Sequence, residues 1–385
     1  MVQIERTNAE TLTTYTVLNA LVTGVVFGTL RYLLQPSLAG WHFLHELILF
    51  GVLAYSLQPL WGILSDHLTL RHHAVQLGVL LVCCGILFPS KFTQVIPLRT
   101  GTLIKAIMLG LGYCMFQVSA AATVLRRCRH RCFDIGCFTS SGVLGTMIFL
   151  IKPTLAYLMI PIMMFTACRT DNCTDFGQKL ASRDQRKFRF PLIVGILLIA
   201  CFLASMFAFS FTTNSFTAIR QESRKMILLL TVAVFAGRLI GGWLLDHIGT
   251  IAVVLLSVPS GMFLLMTKAG TGAAVGLFLL NLSLPALFRM TYEIIPDAPG
   301  FAYGLISSIA FPAVVLANRF PLAMPDAGML AFWGLLLYGA ALLTAAVYIR
   351  EFKLTRMIRS AFTPKSKNTP GQADEKSDPT SENVK

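Results

Sequence analysis

Runs of about twenty apolar residues, separated by short polar stretches, recur along the whole chain. Each run is long enough to cross a hydrocarbon core of about 30 Å as a helix. A soluble helix would alternate apolar and polar faces, and these runs do not. The pattern predicts twelve spans. The first six lie near Leu12–Leu34, His42–Leu64, Ala74–Phe88, Thr102–Leu125, Phe133–Ile151 and Thr154–Cys168. The second six lie near Pro191–Thr212, Lys225–Leu245, Ile251–Thr267, Gly272–Tyr292, Phe301–Leu322 and Gly328–Ile349. The expected fold class is an all-α integral membrane protein of twelve helices in two similar six-helix bundles. Spans five and six are short and joined almost directly at Lys152-Pro153, so a re-entrant pair stays open as an alternative.

The polar segments divide the chain. An N-terminal stretch (1–11) precedes the first bundle (12–168), a basic linker (169–190) the second bundle (191–350), and a tail (351–385) closes the chain. From Thr363 onward that tail has almost nothing apolar to bury, and disorder is expected. With an even number of spans both termini face one side. That side would hold Arg6, Arg71, the run Arg126, Arg127, Arg129 and Arg131, the linker cations and those of the tail. It carries about twice the Lys and Arg of the other side, which predicts cytoplasmic termini and a cell (inner) membrane location.

Composition narrows the classes. The chain is 55% hydrophobic and 13% charged, against about a quarter charged in soluble domains. Its mean hydropathy is +0.69. A formal charge of +14 would suggest nucleic acid for a soluble protein. Here loop topology accounts for the basic residues, and no nucleic-acid partner is expected. The cluster Cys128, His130, Cys132, Cys137 lacks a C-x-x-C pair, so reduced thiols are expected, with no metal and no cofactor.

One motif occurs twice. After the second span the chain reads Gly62-Ile-Leu-Ser-Asp66, followed by Arg71; after the eighth it reads Gly242-Trp-Leu-Leu-Asp246, followed by Gly249. Each stands at the same place in its six-span set, as duplication would leave it. Glycine at a helix end lets a second backbone come close. An aspartate there can accept hydrogen bonds from the N-terminus of a neighbouring helix, where the macrodipole is positive. Such contacts would latch one face closed, with Arg71 pairing across the same seam.

On these residues the chain resembles the major facilitator superfamily: Gly62, Asp66 and Arg71 match its loop signature between spans two and three. Gly237-Arg238, Gly242, Asp246 and Gly249 match the weaker echo between spans eight and nine. The resemblance covers about residues 12–350. It implies alternating access, a small-molecule solute, a lipid bilayer setting and a monomer, with a proton or sodium ion as the candidate coupling ion. Leu70 stands where the signature has glycine. Ala106 stands where many members have an arginine in span four, beside Lys105, so proton coupling through that arginine gains no support.

The resemblance places the substrate site near the midplane between spans one, four, seven and ten. Asn19, Tyr113, Gln117, Asn281 and Ser307 are the expected polar lining. Arg238, inside span eight, is read either as a ligand for a substrate anion or as a structural partner of Asp246 and nearby carbonyls. Arg31, Lys105, Lys152 and Arg319 lie near span ends, where snorkelling to the headgroups is expected. His42, His45 and Glu46 share one helical face at the outer end of span two and are a candidate proton relay. The function these readings support is secondary transport, active or facilitative, of a small organic solute, anionic or amphipathic in preference. No Walker lysine motif is present to suggest ATP hydrolysis. A non-transporting sensor or scaffold, and a lipid-modifying enzyme, are the alternatives. No enzymatic activity is expected, because no G-x-S-x-G elbow appears and His72-His73 lack an acidic neighbour in sequence.

Overall fold

The computed structural model describes residues 2–33, 42–67, 71–88, 98–127, 131–152, 155–170, 192–219, 224–266, 270–319 and 325–362. Met1–Ala346 forms one compact unit and Val347–Lys385 a second. All regular structure in the described residues is helical. The first half of the chain gives α1 (Val2–Leu33), α2 (His42–Gly51), α3 (Gln58–His67), α4 (Arg71–Leu87), α5 (Leu98–Arg127), α6 (Cys132–Ile151) and α7 (Leu155–Cys168). The second half gives α8 (Leu192–Ile219), α9 (Arg224–His247), α10 (Thr250–Met266), α11 (Gly270–Leu282), α12 (Leu284–Ile294), α13 (Pro299–Ser308), α14 (Ala310–Arg319) and α15 (Pro325–Phe362).

Among the described residues nine helical segments are long and apolar enough to cross a membrane. Three shorter apolar helices, His73–Leu87, Leu155–Cys168 and Thr250–Leu265, stand where spans three, six and nine are expected. The helix at span five, α6, has 20 residues and span length; α7 has 14, about 21 Å of rise. Two ends differ from expectation. α1 starts at Val2, within the stretch read as a polar terminus, and α15 runs on to Phe362, into the segment read as tail. The linker from 171 to 190 and the chain beyond 362 lie outside the described residues.

Spans two, ten and eleven are interrupted, and proline explains all three. Proline has no N–H and its ring collides with the carbonyl four residues earlier. Pro59 follows a π turn at Val52–Ser56 that separates α2 from α3. Pro285 follows the break at Ser283 between α11 and α12, and Pro312 the break at Ile309 between α13 and α14. Each break falls beside a polar side chain: Gln58, Asn281 with Ser283, and Ser307 with Ser308. Pro161 and Pro259, by contrast, are carried inside α7 and α10.

Within the larger unit α1 packs on α6, α4 on α5, α10 on α11 and α8 on α14. The main contacts joining the first half of the chain to the second are α3 on α13 and α6 on α9. Both depend on the motif glycines. A Cβ on Gly62 would lie 2.5 Å from the Gly300 carbonyl oxygen, and one on Gly242 would lie 2.8 Å from the Cys132 carbonyl oxygen. Both obstacles are backbone and cannot swing aside.

Gly62→Ala is therefore expected to destabilise the fold by about 1–3 kcal/mol, as overpacking does. The matched control is Gly195→Ala, where the new Cβ meets nothing closer than 3.6 Å. Thermal unfolding of the detergent-purified variants distinguishes them: only the first should lose melting temperature.

Candidate functional site

The two aspartates of the repeated motif each meet a helix from the other half of the chain. Asp66, at the end of α3, accepts hydrogen bonds from the backbone N–H of Gly300 (3.1 Å) and Phe301 (2.9 Å), in the first turn of α13. Asp246, at the end of α9, accepts them from Cys132 (2.8 Å) and Phe133 (2.9 Å), in the first turn of α6. Neither receiving helix has a cap of its own: Ala298 and Arg131 stand at the N-cap positions and make no side-chain cap bond. In α13 Pro299 already lacks an N–H, so the next two donors are the ones Asp66 takes. The orphan donors of each helix are thus satisfied by a carboxylate from across the seam.

An arginine stands by each carboxylate. Arg126, at the end of α5, lies 3.6 Å from Asp66, whose side chain is only 5% exposed. Arg289, in α12, lies 3.5 Å from Asp246 and 3.2 Å from Glu293, one turn further along. Span four thus serves Asp66 as span ten serves Asp246. The arginine expected at the first seam was Arg71, which opens α4 and whose side chain lies outside the described residues. Arg289 escaped the sequence reading altogether, although its i,i+4 spacing to Glu293 is the signal that could have found it.

A second polar group lies deep in the bundle. The Asn19 side-chain amide donates to the Phe138 carbonyl (2.6 Å) and to Ser141 Oγ (3.2 Å). Its Oδ1 accepts from Gln117 Nε2 (2.6 Å) and Thr23 Oγ1 (3.0 Å). Gln117 also donates to Thr23 Oγ1 (2.9 Å), and its Oε1 accepts from the Tyr303 hydroxyl (3.4 Å). Ser307 donates to Gln58 Oε1, joining α13 to α3. Tyr113 packs edge-on to Phe27 and Tyr55, and Tyr55 stacks on Phe311. Of the residues expected at the substrate site, Asn19, Gln117 and, through Tyr303, spans one, four and eleven are joined directly. Gln58, Tyr55 and Tyr303 were not anticipated, though Gln58-Pro59 inside an apolar run is a visible signal.

Arg238 is half-buried in α9. Its Nε donates to Asn281 Oδ1 (3.1 Å) and its Nη1 to the Thr139 carbonyl (3.2 Å). Asn281 is itself held by its own helix, donating to the Leu277 carbonyl (2.8 Å). Asp246 lies two turns further along α9 and takes Arg289, so pairing of Arg238 with Asp246 does not occur. The hydroxyls of Tyr303, Tyr113, Tyr55 and Tyr338 lie within electrostatic range of the guanidinium. Among the described residues Arg238 has no carboxylate partner, and its Nη2 makes no hydrogen bond.

Towards the other end of the bundle Glu46 is 9% exposed. Its Oε1 accepts from Thr102 Oγ1 (3.4 Å), and its Oε2 is buried without a hydrogen-bond partner. The side chains of His42 and His45 lie outside the described residues. Lys105, expected to snorkel, is instead 3% exposed, packed into the helices rather than reaching the headgroups. Lys152 is exposed, and the side chains of Arg31 and Arg319 lie outside the described residues. Gly249, the last motif residue, has φ +94°, a left-handed turn between α9 and α10.

The fold has solved counterparts. A fucose:proton symporter from E. coli (FucP) superposes with a TM-score of 0.63 at 12% identity, covering 87% of this chain and 98% of that one. The human organic anion transporter MFSD10 superposes with 0.62 at 17% identity, covering 89% and 99%. FucP in an outward conformation, described as a major facilitator superfamily transporter, gives 0.58 at 14% identity, over 86% and 98%. The chain has the major facilitator superfamily transporter fold. At sequence level no family description and no curated protein matches it.

The caps make a direct prediction. Replacing a capping side chain by alanine costs about 0.5–2 kcal/mol, or about 2- to 30-fold in local opening. Asp66→Ala should speed amide hydrogen exchange in the peptide covering Gly300 and Phe301 by that factor. Asp246→Ala should do the same at Cys132 and Phe133, and neither should alter the other's peptide. Unchanged exchange in both would show that the carboxylates do not protect these amides.

Proposed function

We propose that the protein is a secondary transporter of a small organic anion, carrying it by alternating access between the two halves. The observation that carries this reading is Arg238. A guanidinium inside a membrane span is costly unless a negative group accompanies it. Here Asn281 and the Thr139 carbonyl fix its orientation, yet no described residue neutralises its charge. A carboxylate of the solute is the natural counter-ion. Tyr55, Tyr113 and Tyr303, with Gln117 and Asn19 behind them, supply aromatic faces and hydrogen-bonding groups for the rest of the molecule.

In this reading the capping pairs of Asp66 and Asp246 are the conformational latch. They hold one end closed through contacts that vanish when α3 leaves α13 and α9 leaves α6. Gly62, Gly242 and Arg238 belong to the same seams, and Gly249 sets the turn after the second. The buried Glu46, with the neighbouring His42 and His45, is the group assigned to a coupling proton.

Measurements on purified protein in liposomes test these assignments. Uptake of a panel of monocarboxylates against neutral analogues should show carboxylate-dependent flux. Arg238→Gln should reduce it at least 100-fold and Arg238→Lys by about tenfold, since a lysine keeps the charge and loses the fork. Solute binding with no flux under any gradient would assign the fold to a sensor instead. Asp66→Asn should slow flux without loss of folded protein, and full activity in that variant would remove the latch. Glu46→Gln should keep solute exchange while losing accumulation driven by a pH gradient.

A further inference from the structure

The end of the bundle that carries the caps holds a cavity of about 700 Å³ to which the transport reading assigns no ligand. It is lined by the start of α6, the end of α9, the start of α10 and Arg289 of α12. Its chemistry is that of an anion site. Arg131 and Arg289 line it, with His247 and Thr250. Arg131 is exposed and has no ion-pair partner among the described residues. The Nη2 of Arg289 makes no hydrogen bond among them either, its other nitrogens being engaged by Glu293 and Cys132. α10 is 17 residues long; the Val253 N–H takes the Gly249 carbonyl (3.3 Å), and the N–H groups of the three residues before it have no carbonyl four residues back within the helix. The one acid in the wall, Asp246, has both oxygens engaged by backbone N–H groups; Arg289 lies between it and Glu293, so Arg131 supplies the cavity's uncompensated charge and Arg289 a free N–H donor.

The wall of α9 identifies the kind of anion. Ile240, Trp243 and His247 are spaced three and four apart and so form one stripe. Ile240 and Trp243 are 42% and 49% exposed, on a helix apolar enough to span the membrane. The stripe runs from an apolar, exposed surface to a stacked pair, Trp243 and His247, with ring centroids 4.4 Å apart. The His247 Nδ1–H donates to the Trp243 carbonyl (2.8 Å), which fixes the imidazole at the cavity edge. An exposed tryptophan at the point where an apolar stripe meets arginines is the arrangement of a membrane interface. Exposed Ile248, Leu255 and Leu256 extend the apolar surface around the turn.

We infer that this cavity binds the phosphodiester headgroup of an anionic phospholipid: the phosphate lies between Arg131 and Arg289 at the start of α10, and the acyl chains lie along the Ile240–Trp243 stripe. The site is separate from that of the transported solute, so its test needs no flux.

The test uses the full chain in phosphatidylcholine nanodiscs titrated with phosphatidylglycerol. Retained lipid is counted by native mass spectrometry, and thermal stability is followed in parallel. The native protein should keep one phosphatidylglycerol through delipidation and melt higher in its presence. Arg131→Gln should weaken that retention about tenfold, Trp243→Ala should weaken it independently, and Lys152→Gln, at an exposed cation remote in sequence, should leave it unchanged. Inorganic phosphate and glycerol 3-phosphate are run alone as the second arm. If they stabilise the protein as well as the lipid does, the site takes a soluble phosphate and the lipid assignment falls. Equal retention by the native protein and both cavity variants overturns the site itself.

Discussion

A helix that begins inside or beside a membrane presents N–H groups that nothing nearby can satisfy, because the hydrocarbon offers no acceptor and water is scarce. This constraint governs the seam between the two halves of the chain. α6 and α13 each begin without a capping side chain of their own. Each borrows a carboxylate from across the seam. The glycines at positions 62 and 242 follow from it, since a carboxylate reaches a foreign helix end only if the backbones approach closely. The arginines follow as well: Asp66 with two N–H groups and Arg126 is fully compensated, where a bare carboxylate would be expensive to bury. Because each cap joins groups on different helices, opening the seam uncovers donors and acceptor together.

The centre of the bundle follows the opposite rule. There the polar groups of Asn19, Thr23, Gln117 and Tyr303 satisfy one another across spans one, four and eleven. Arg238 alone is oriented yet left without a countercharge among the described residues. A network already closed on itself contributes rigidity, whereas the donors of Arg238 are not all taken. The proline breaks fall beside further polar side chains. They spare spans two, ten and eleven the full helical ladder where Gln58, Asn281 and Ser307 project.

The fold was largely legible in the sequence because apolar length and loop charge are one-dimensional signals. The paired motif was legible too, since Gly62…Asp66 and Gly242…Asp246 repeat in register. What escaped was pairing across distance. Arg126 read as one more loop cation, and Arg289 attracted no notice, because nothing along the chain says which cation folds back onto which carboxylate. Lys105 was misjudged for a related reason: its depth depends on neighbours packed against α5, not on its distance from the span end. One of the two readings of Arg238 paired it with Asp246 and nearby carbonyls; it does bond the Thr139 carbonyl, but the arginine beside Asp246 comes from another helix.

The exchange of caps has a formal symmetry. Asp66 of span two reaches span eleven with help from span four, and Asp246 of span eight reaches span five with help from span ten. In the twelve-span numbering expected from the sequence, adding six to each number of the first set, counted around the twelve, turns it into the second. An interface in which patch A of one partner meets patch B of the other, and B meets A, is isologous, the kind that two identical subunits make about a twofold axis. The seam of this single chain is therefore built like the interface of a homodimer. Two copies of one six-helix unit would need no new contact to assemble in this way, and joining them end to end would free each copy of the interface to diverge. Among the described residues Arg126 lies beside Asp66, while Arg289 is shared between Asp246 and Glu293.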